Sequence, residues 1–584
     1  MEALRRFRTI KAKRPMWIDS ICINNDDPIE RTEQVRLMGE VYGLAKEVPI
    51  WLGEKTDGVD TALKLVSKII EAFTTWYDSQ HGNTFQSQWE EIKRQARETP
   101  DALDQAEFWK LLQSEECLPF FDGIDLRNLD IPTYQMPWWF LRNLLKRRWF
   151  RRVWTWQEKE LAKSATLYIG DRTLSWSRLR FAMLLVMAHD LSETRATPFP
   201  AMPGREYLHV LDSLSVSSSL DLLDIVINVR HRETKLKQDK IFAVLAAAAR
   251  YKSERPDDVE HFSRLVNYGG LNVQELYKEF SRYWIMERGD LRVLQACNPS
   301  KKKIEELPSW VVDWSDTTPS HQLSSKIYTA SKGREDVIMK YDYQKSNELH
   351  LGGVAIDKVA FVFNRDSMDE NERYHTTPTA DWDYWRARLV QPLMSLYVAG
   401  MNKKFIGALP ADWQEVVEEM EWDEPYEPTG QPMAEAFWRT LLSDQNPYIT
   451  NASDKRIPFN VRTTPIFHRW AHRRALSRGF LRKTMRTRKD VNVTTQRWLE
   501  ALHLSVLYKR FFITETGLIG LAPNNIQAGD HVCVFFGGRV PFSLRDHGDY
   551  FTLVEETYLH GFMDGEAIEL MERGEREETS FCIR

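Results

Sequence analysis

The chain has 584 residues, 42% of them apolar and 28% charged, and a formal net charge of -5. A chain of this length usually forms two or three domains, and its nearly balanced charge gives no global reason to expect nucleic acid or an anionic membrane as a partner. Because no stretch is long and apolar enough for a membrane span or a secretion signal, we expect a cytoplasmic protein without a membrane partner.

The cysteines predict neither a disulfide framework nor a metal centre. They are scattered along the chain, without the CxxC or Cys/His spacings that are typical of zinc sites. We expect reduced thiols, no metal and no cofactor fixed by a motif. The five positions are Cys22, Cys117, Cys297, Cys533 and Cys582.

The N-terminal segment predicts a parallel α/β unit. Residues 16–23 form a short apolar run rich in β-branched side chains, which is typical of a buried strand, and polar residues 24–28 follow as a turn. Apolar positions from Val35 to Ala45 then recur at helical spacing, before a second apolar run at 48–53. A strand, a helix and a strand in this order normally pair their strands in parallel.

Helical patterns dominate the next part of the chain. Residues 61–131 predict an irregular helical segment, and residues 149–162 predict a helix that carries Gln157 and Glu158 on an aromatic face. Residues 165–176 predict a strand and a turn. The stretch from 177 to 300 is mostly helical in pattern, including an alanine-rich helix at 240–250. Strands are predicted again at 351–361 and throughout 510–570.

Two charged blocks lie between these β segments. Residues 412–435 carry nine acidic groups and no Lys or Arg, whereas 455–489 carry twelve basic groups and no Asp or Glu. The basic block is the one candidate surface for nucleic acid, with aromatic side chains among its cations. Solvated helices that pair the two blocks are the alternative, which the slightly negative net charge favours.

Residues 17–24, followed by Glu30-Arg31 and by Trp51-Leu-Gly53, closely resemble the central signature of the fungal heterokaryon-incompatibility (HET) domain. Arg152-Val-Trp154 with Gln157-Glu158 resembles its second signature. The family usually begins with a strand that holds an Ala-Leu-Ser-Tyr-x-Trp-Gly type motif, and this sequence starts after it. The resemblance therefore implies an N-terminally shortened HET domain.

The resemblance implies a TIR-like fold, a role in non-self recognition, programmed cell death and innate immunity, and contact with a protein partner or self-association. Some TIR domains cleave NAD between nicotinamide and ribose, and Glu158 matches the order and context of their catalytic carboxylate. NAD is thus a candidate substrate. A carboxylate on an aromatic helical face can also have a raised pKa and stabilise an oxocarbenium-like cation. A structural acid paired with Arg31, Arg151 or Arg152 is the alternative.

Six further residues are candidates for binding. Asp19 and Asn24 follow the first predicted strand, where ligands of open α/β sheets bind, or they cap the turn. Arg31 and Arg152 have the fork geometry that holds phosphate, although Glu30-Arg31 also opens a helix in the way that the helix dipole favours. Trp154 and Gln157 lie beside Glu158 in sequence, and Gln157 is predicted as a hydrogen-bonding partner.

The sequence thus predicts a multidomain protein that acts mainly through protein interaction, with NAD cleavage as the enzymatic alternative; a shared fold cannot decide between them. The predicted parts are a HET-like α/β domain with a parallel sheet (1–180), a helical region (181–300), a strand-containing region (301–370), a charged helical insert (371–500) and a β-rich C-terminal module (501–584).

Overall fold

Two compact units make up the protein in this computed structural model. The first unit consists of Met1–Glu193, Thr197–Leu276 and Trp314–Pro319, and the second holds the rest. The structure describes residues 2–8, 15–81, 129, 136–192, 221–250, 256–317, 323, 327–334, 347–362, 425–441, 443–444 and 509–584.

A three-stranded sheet lies in the first unit. Its strands are β1 (Val48–Trp51), β2 (Ala165–Ile169) and β3 (Arg172–Ser175), in that order. β1 pairs with β2 in parallel, while β2 and β3 form an antiparallel hairpin. The hairpin turns at Gly170, whose φ of 56° suits a residue without a Cβ. The sheet is therefore mixed, and the fully parallel sheet of the sequence prediction is not confirmed.

Helices surround this sheet and supply the core of the first unit. Helix α8 packs on β2 and β3, and α4 packs against α5 and α8 in the same apolar core. Buried residues of these helices include Leu65, Leu141 and Leu185. The N-terminal α1 adds Phe7, whose ring packs edge-on against Tyr168 with 4.9 Å between centroids. The helices are α1 (Glu2–Phe7), α2 (Asp19–Cys22), α3 (Pro28–Leu44), α4 (Val59–His81), α5 (Pro137–Leu145), α6 (Arg148–Arg151), α7 (Trp154–Leu161), α8 (Trp176–Ser192), α9 (Leu222–Val229), α10 (Asp239–Phe242), α11 (Leu245–Ala248), α12 (Pro256–Arg264) and α13 (Val273–Arg282), within which the division into units falls.

The predicted first strand at 16–23 is wrong. Residues 19–22 form the single-turn helix α2, in which the amide of Cys22 donates to the carbonyl of Ile18 at 2.8 Å. A strand needs a neighbouring strand to satisfy its N–H and C=O groups, and no described strand pairs with this run. The helix at 28–44 and the strand at 48–51 follow as predicted, so the βαβ unit lacks its first strand among the described residues.

The helix predicted over 149–162 is divided into α6 and α7. Arg152 between them has extended backbone angles and bridges to Glu233. The amide of Val153 donates to the Glu233 carbonyl at 2.9 Å, so a segment distant in sequence takes the hydrogen bond that a continuous helix would use. The helix predicted at 240–250 is likewise divided, into α10 and α11. The strand and turn predicted over 165–176 are confirmed, and a second strand, β3, completes a hairpin there.

A closed ring of strands forms the centre of the second unit. The sheet runs β12-β8-β7-β4-β13-β11-β10-β9, and β9 pairs again with β4. Strands β4, β13, β11, β10 and β9 therefore form a closed barrel, which removes their free edges. The strands are β4 (Leu349–Val362), β5 (Pro425–Tyr426), β6 (Gln431–Pro432), β7 (Lys509–Thr514), β8 (Ile519–Pro523), β9 (His531–Phe535), β10 (Phe542–Asp546), β11 (Phe551–Glu556), β12 (Tyr558–Leu559) and β13 (Glu578–Ile583).

Strand β4 confirms the strand predicted at 351–361 and shows its role. It pairs with β13, β9 and β7, and its register shifts between Ala355 and Asp357 in the pairing with β9 and between Val359 and Phe361 in the pairing with β7. Gly353 allows β4 to lie this close to β9, since a Cβ at this position would be 2.4 Å from the carbonyl oxygen of Val534. The strand-like pattern at 510–570 is confirmed as the remainder of this β-rich unit.

Short helices complete the second unit. They are α14 (Arg292–Gln295), α15 (Met433–Leu441) and α16 (Glu566–Glu572), together with a π-helix at Tyr283–Glu287 and a 3-10 turn at Pro299–Lys301. Within the predicted helical insert, the described residues 425–441 begin with the β5–β6 hairpin before α15. The basic block 455–489, most of the acidic block and Cys117 lie outside the described residues.

Candidate functional site

Glu158 lies on α7 in the first unit and keeps partial contact with solvent. Burial raises the pKa of its carboxyl to about 7. The positive charge of Arg152 lowers this pKa, the negative charge of Asp19 raises it, and a hydrogen bond with the Trp149 side chain lowers it. Glu158 can therefore hold or release a proton near neutral pH, which suits a general acid or base.

Tyr42 on α3 belongs to the same group of side chains. Its pKa is raised by burial first and then by the charges of Glu158 and Asp19, while Arg152 lowers it. Its ring packs edge-on against Trp17 with 5.6 Å between centroids. We call Asp19, Tyr42, Arg152 and Glu158 the Glu158 group. It combines two carboxylates, a phenol and a guanidinium from α2, α3, α7 and the break before α7.

A second polar group surrounds Asp239, at the start of α10. Its carboxylate accepts hydrogen bonds from Trp154 Nε1 at 3.0 Å, Tyr268 Oη at 2.6 Å and Thr234 Oγ1 at 3.2 Å. Burial raises the pKa of Asp239, and the three donors and the charge of Arg31 oppose that rise. The Arg31 guanidinium lies over the Tyr268 ring, 5.4 Å from its centroid.

Both groups take one residue from α3 and one from α7. Arg31 and Tyr42 are eleven positions apart, which returns to nearly the same side of a helix, and Trp154 and Glu158 are four apart. Helices α3 and α7 pack against each other. The predicted residues Arg31, Trp154 and Glu158 thus lie along one packed pair of helices.

Gln157 lies on another side of α7 from Glu158, because adjacent helical residues point about 100° apart. Its side chain is 1% exposed, and its Oε1 has no hydrogen-bond partner within the described part of the chain. A buried amide oxygen without a donor costs free energy. The predicted hydrogen bond between Gln157 and Glu158 is therefore not among the contacts of the site.

Asn24 is exposed and caps the turn before α3. Its side-chain oxygen accepts from the backbone amide of Asp26 at 3.3 Å, and its backbone amide donates to Glu30 Oε1 at 2.9 Å. These contacts match the turn-capping alternative that the sequence left open for Asn24. Asp19 joins the Glu158 group, but from the start of a helix and not from the end of a strand.

As the alternative to catalysis, the sequence predicted that Glu158 is a structural acid paired with one of three arginines, Arg31, Arg151 or Arg152. Arg151 instead forms an ion pair with the exposed Glu233, and Arg31 lies with Asp239. Arg152 is the arginine whose charge acts on Glu158. Sequence reasoning did not include Tyr42 or Asp239 in the site. The signal in the sequence was that each is a polar residue, a phenol and an acid, in an otherwise apolar helical pattern. The pattern does not show which distant residue each one contacts.

The comparisons with known proteins agree with this architecture. Residues 1–158 match the family model for heterokaryon incompatibility protein (HET), and residues 475–581 match the model for the Het-6 beta-barrel domain. The matched residues therefore correspond to a HET domain at 1–158 and a Het-6-type barrel domain at 475–581. It is also similar to heterokaryon incompatibility protein 6, OR allele, of Neurospora crassa, with 23% identity over 98% of this chain and 84% of that protein.

No solved structure matches the chain. Within the residues that the structure describes, no helix is long and apolar enough to cross a bilayer. Part of the barrel lies outside its family match, since β4 precedes it by more than a hundred residues in the chain.

Proposed function

We propose that this protein takes part in heterokaryon incompatibility as a non-self recognition protein that leads to cell death, and that it acts mainly by binding another protein. The two family matches and the full-length similarity to an incompatibility protein support the biological role. The observation that supports protein binding is an exposed stripe of aliphatic side chains on α3.

The stripe consists of Ile29, Leu37 and Leu44, which are 70%, 46% and 74% exposed. Glu33 and Glu40 are exposed between them, so successive members are three or four positions apart and share one side of the helix. The opposite side of α3 is buried through Val35 and Met38. Large aliphatic side chains grouped on one exposed face are typical of interaction surfaces.

The chemistry of the stripe indicates its partner. Apolar contacts with Leu37 and Leu44 would supply most of the binding free energy, because that surface leaves water on association. Glu33 and Glu40 would attract basic side chains. We therefore propose a protein partner with an apolar surface bordered by Lys or Arg.

The test replaces the aliphatic stripe without touching the core. A variant with Leu37→Ser and Leu44→Ser should fold normally but lose the growth arrest that the wild-type protein causes in an incompatible fungal host. Leu4→Ser is the matched control, since it makes the same replacement at an exposed leucine outside the stripe, and it should keep the arrest. Undiminished arrest by the folded double variant would contradict the proposal.

NAD cleavage by a TIR-like mechanism is the second candidate, and the Glu158 group supports it. A carboxylate with a pKa of about 7 could stabilise the ribosyl cation as the bond to nicotinamide breaks, and later accept a proton from the attacking water. Arg152 could hold a phosphate of the substrate. The products would be nicotinamide and ADP-ribose.

The experiment measures nicotinamide release from NAD by the purified chain at high protein concentration. Release by wild type that is lost in Glu158→Gln but kept in Glu233→Gln would support the enzymatic function, because Glu233 is an exposed carboxylate of the same unit. The host assay separates the two candidates: the interaction mechanism predicts that Glu158→Gln still arrests growth, whereas the enzymatic mechanism predicts that this change removes the arrest.

A further inference from the structure

Three residues with metal-binding side chains meet where β4 and β13 pair. Cys582 and His350 are direct partners in this antiparallel pair. Glu348 precedes His350 by two residues and Arg584 follows Cys582 by two, so all four side chains are directed to the same face. Residues on one face of paired strands have neighbouring Cβ atoms, which is close enough for two of them to bind one ion.

The distances fit a small cation. One donor atom from each of Glu348, His350 and Cys582 lies within 4.8 Å of the other two. Glu348 Oε2 and His350 Nε2 are 3.5 Å apart. Ligand atoms around a tetrahedral zinc ion, at bonds of about 2.0–2.3 Å, are about 3.4–3.7 Å from each other. The Glu–His pair already has this separation, and the thiol needs only a modest side-chain rotation.

Arg584 holds the Glu348 carboxylate in place through one oxygen. Its Nε donates to Oε1 at 2.8 Å, and its Nη2 forms an ion pair with the same oxygen at 2.5 Å. The second oxygen, Oε2, is thereby directed to the imidazole. This is the way in which outer partners orient a metal-binding carboxylate. A thiolate and a carboxylate together carry two negative charges, which offset a divalent cation beside the guanidinium.

We propose that Glu348, His350 and Cys582 form a Zn²⁺ site that joins β4 to β13 in the barrel. Sulfur, imidazole nitrogen and carboxylate oxygen are the donors that zinc binds, and all three residues are half-buried. Water completes the fourth position. The Cys582 thiol loses its proton to the buffer when the metal binds. The cysteine spacing could not predict this site, since its ligands come from two strands far apart in the chain.

Cobalt is the probe, because a cobalt–thiolate bond absorbs in the near ultraviolet whereas zinc is colourless. The untagged full-length chain, first treated with a chelator, is titrated with Co²⁺. We expect a thiolate band that saturates at one cobalt per chain and disappears when Zn²⁺ is added. The band should be absent from Cys582→Ser and unchanged in Cys22→Ser, which alters an exposed cysteine of the other unit. His350→Ala should weaken cobalt binding at least tenfold.

Thermal unfolding provides the second measurement. Without metal, Cys582→Ser should unfold at the wild-type temperature, which shows that the variant folds. Zn²⁺ should raise the unfolding temperature of wild type and not that of Cys582→Ser. A wild-type chain that binds no cobalt saturably, or a thiolate band that persists in Cys582→Ser, would overturn the proposal.

Discussion

Trp154 donates its indole N–H to the carboxylate of Asp239 at 3.0 Å, across 85 positions of sequence. The carboxylate is 5% exposed and also receives hydroxyl groups from Tyr268 and Thr234. A buried carboxylate is tolerated when such donors compensate for lost water. The bond therefore fixes α7, which carries Glu158, against α10.

Replacing Trp154 by Phe tests this contact. The variant removes one donor and keeps an aromatic ring, so we expect the free energy of unfolding to fall by about 1–3 kcal/mol, as for other hydrogen bonds to charged groups. Urea unfolding followed by circular dichroism measures the change. Trp139→Phe is the control, since Trp139 is 48% exposed, and it should change the stability by less than about 0.5 kcal/mol. Equal effects of the two variants would show that the indole bond contributes nothing.

The pKa of Glu158 predicts how stability depends on pH. Its folded value of about 7 exceeds the ordinary 4.5, so between these pH values the folded chain holds a proton that the unfolded chain has released. The free energy of unfolding should therefore fall as pH rises through this window. The pKa difference corresponds to at most about 3 kcal/mol, and to less because the side chain keeps contact with water.

Unfolding of wild type and Glu158→Gln, measured from pH 4 to pH 8, checks this pH dependence. The stability of wild type relative to Glu158→Gln should fall between pH 4.5 and about 7 and stay constant outside that range. Glu233→Gln should follow wild type, because Glu233 is exposed. A constant difference across the whole range would show that Glu158 has the same pKa in the folded and unfolded chain.

Local patterns predicted those elements whose stability depends on their own residues. Helix α3 has apolar residues at helical spacing and an Asp27 cap whose side chain accepts from the Ile29 amide at 2.8 Å, and it was predicted correctly. Residues 16–23 are as typical of a strand as α3 is of a helix. A strand, however, also needs a partner strand, which the local sequence does not contain. The break at Arg152 likewise depends on Glu233, which lies far along the chain.

The candidate site likewise contains residues that the sequence predicted and residues that it did not. Glu158 was predicted because its order and context match the catalytic carboxylate of TIR domains, with its aromatic helical face as a second reason. Its raised pKa follows mainly from burial. Tyr42 and Asp239 were not assigned to a site, since only the packing of α3, α7 and α10 shows which charges they meet. In the barrel, β4 was predicted as a strand, but its three partners could not be derived from its own residues.

The antiparallel pairing of β4 with β9 includes a position where one methyl group is costly. An Ala at Gly353 would place its Cβ 2.4 Å from the backbone oxygen of Val534, which cannot move without disturbing the ladder. We expect Gly353→Ala to destabilise the second unit by about 2–4 kcal/mol. Gly270→Ala, whose Cβ would meet its nearest atom at 4.0 Å, should have little effect. Thermal unfolding compares the two variants, and similar unfolding temperatures would contradict this reasoning.

Tyr426 joins the described segment 425–441 to the barrel, although this segment precedes β7 by many residues. Tyr426 is 2% exposed, donates its hydroxyl to the carbonyl of His560 at 3.0 Å and accepts from the Ile519 amide at 3.3 Å. Tyr426→Phe leaves both backbone groups without this partner, so we expect a loss of about 1–3 kcal/mol. Tyr550→Phe, at a ring that stacks on His547, is the control. Urea unfolding compares the two variants; if Tyr426→Phe is as stable as the control, the hydroxyl does not hold this segment to the barrel.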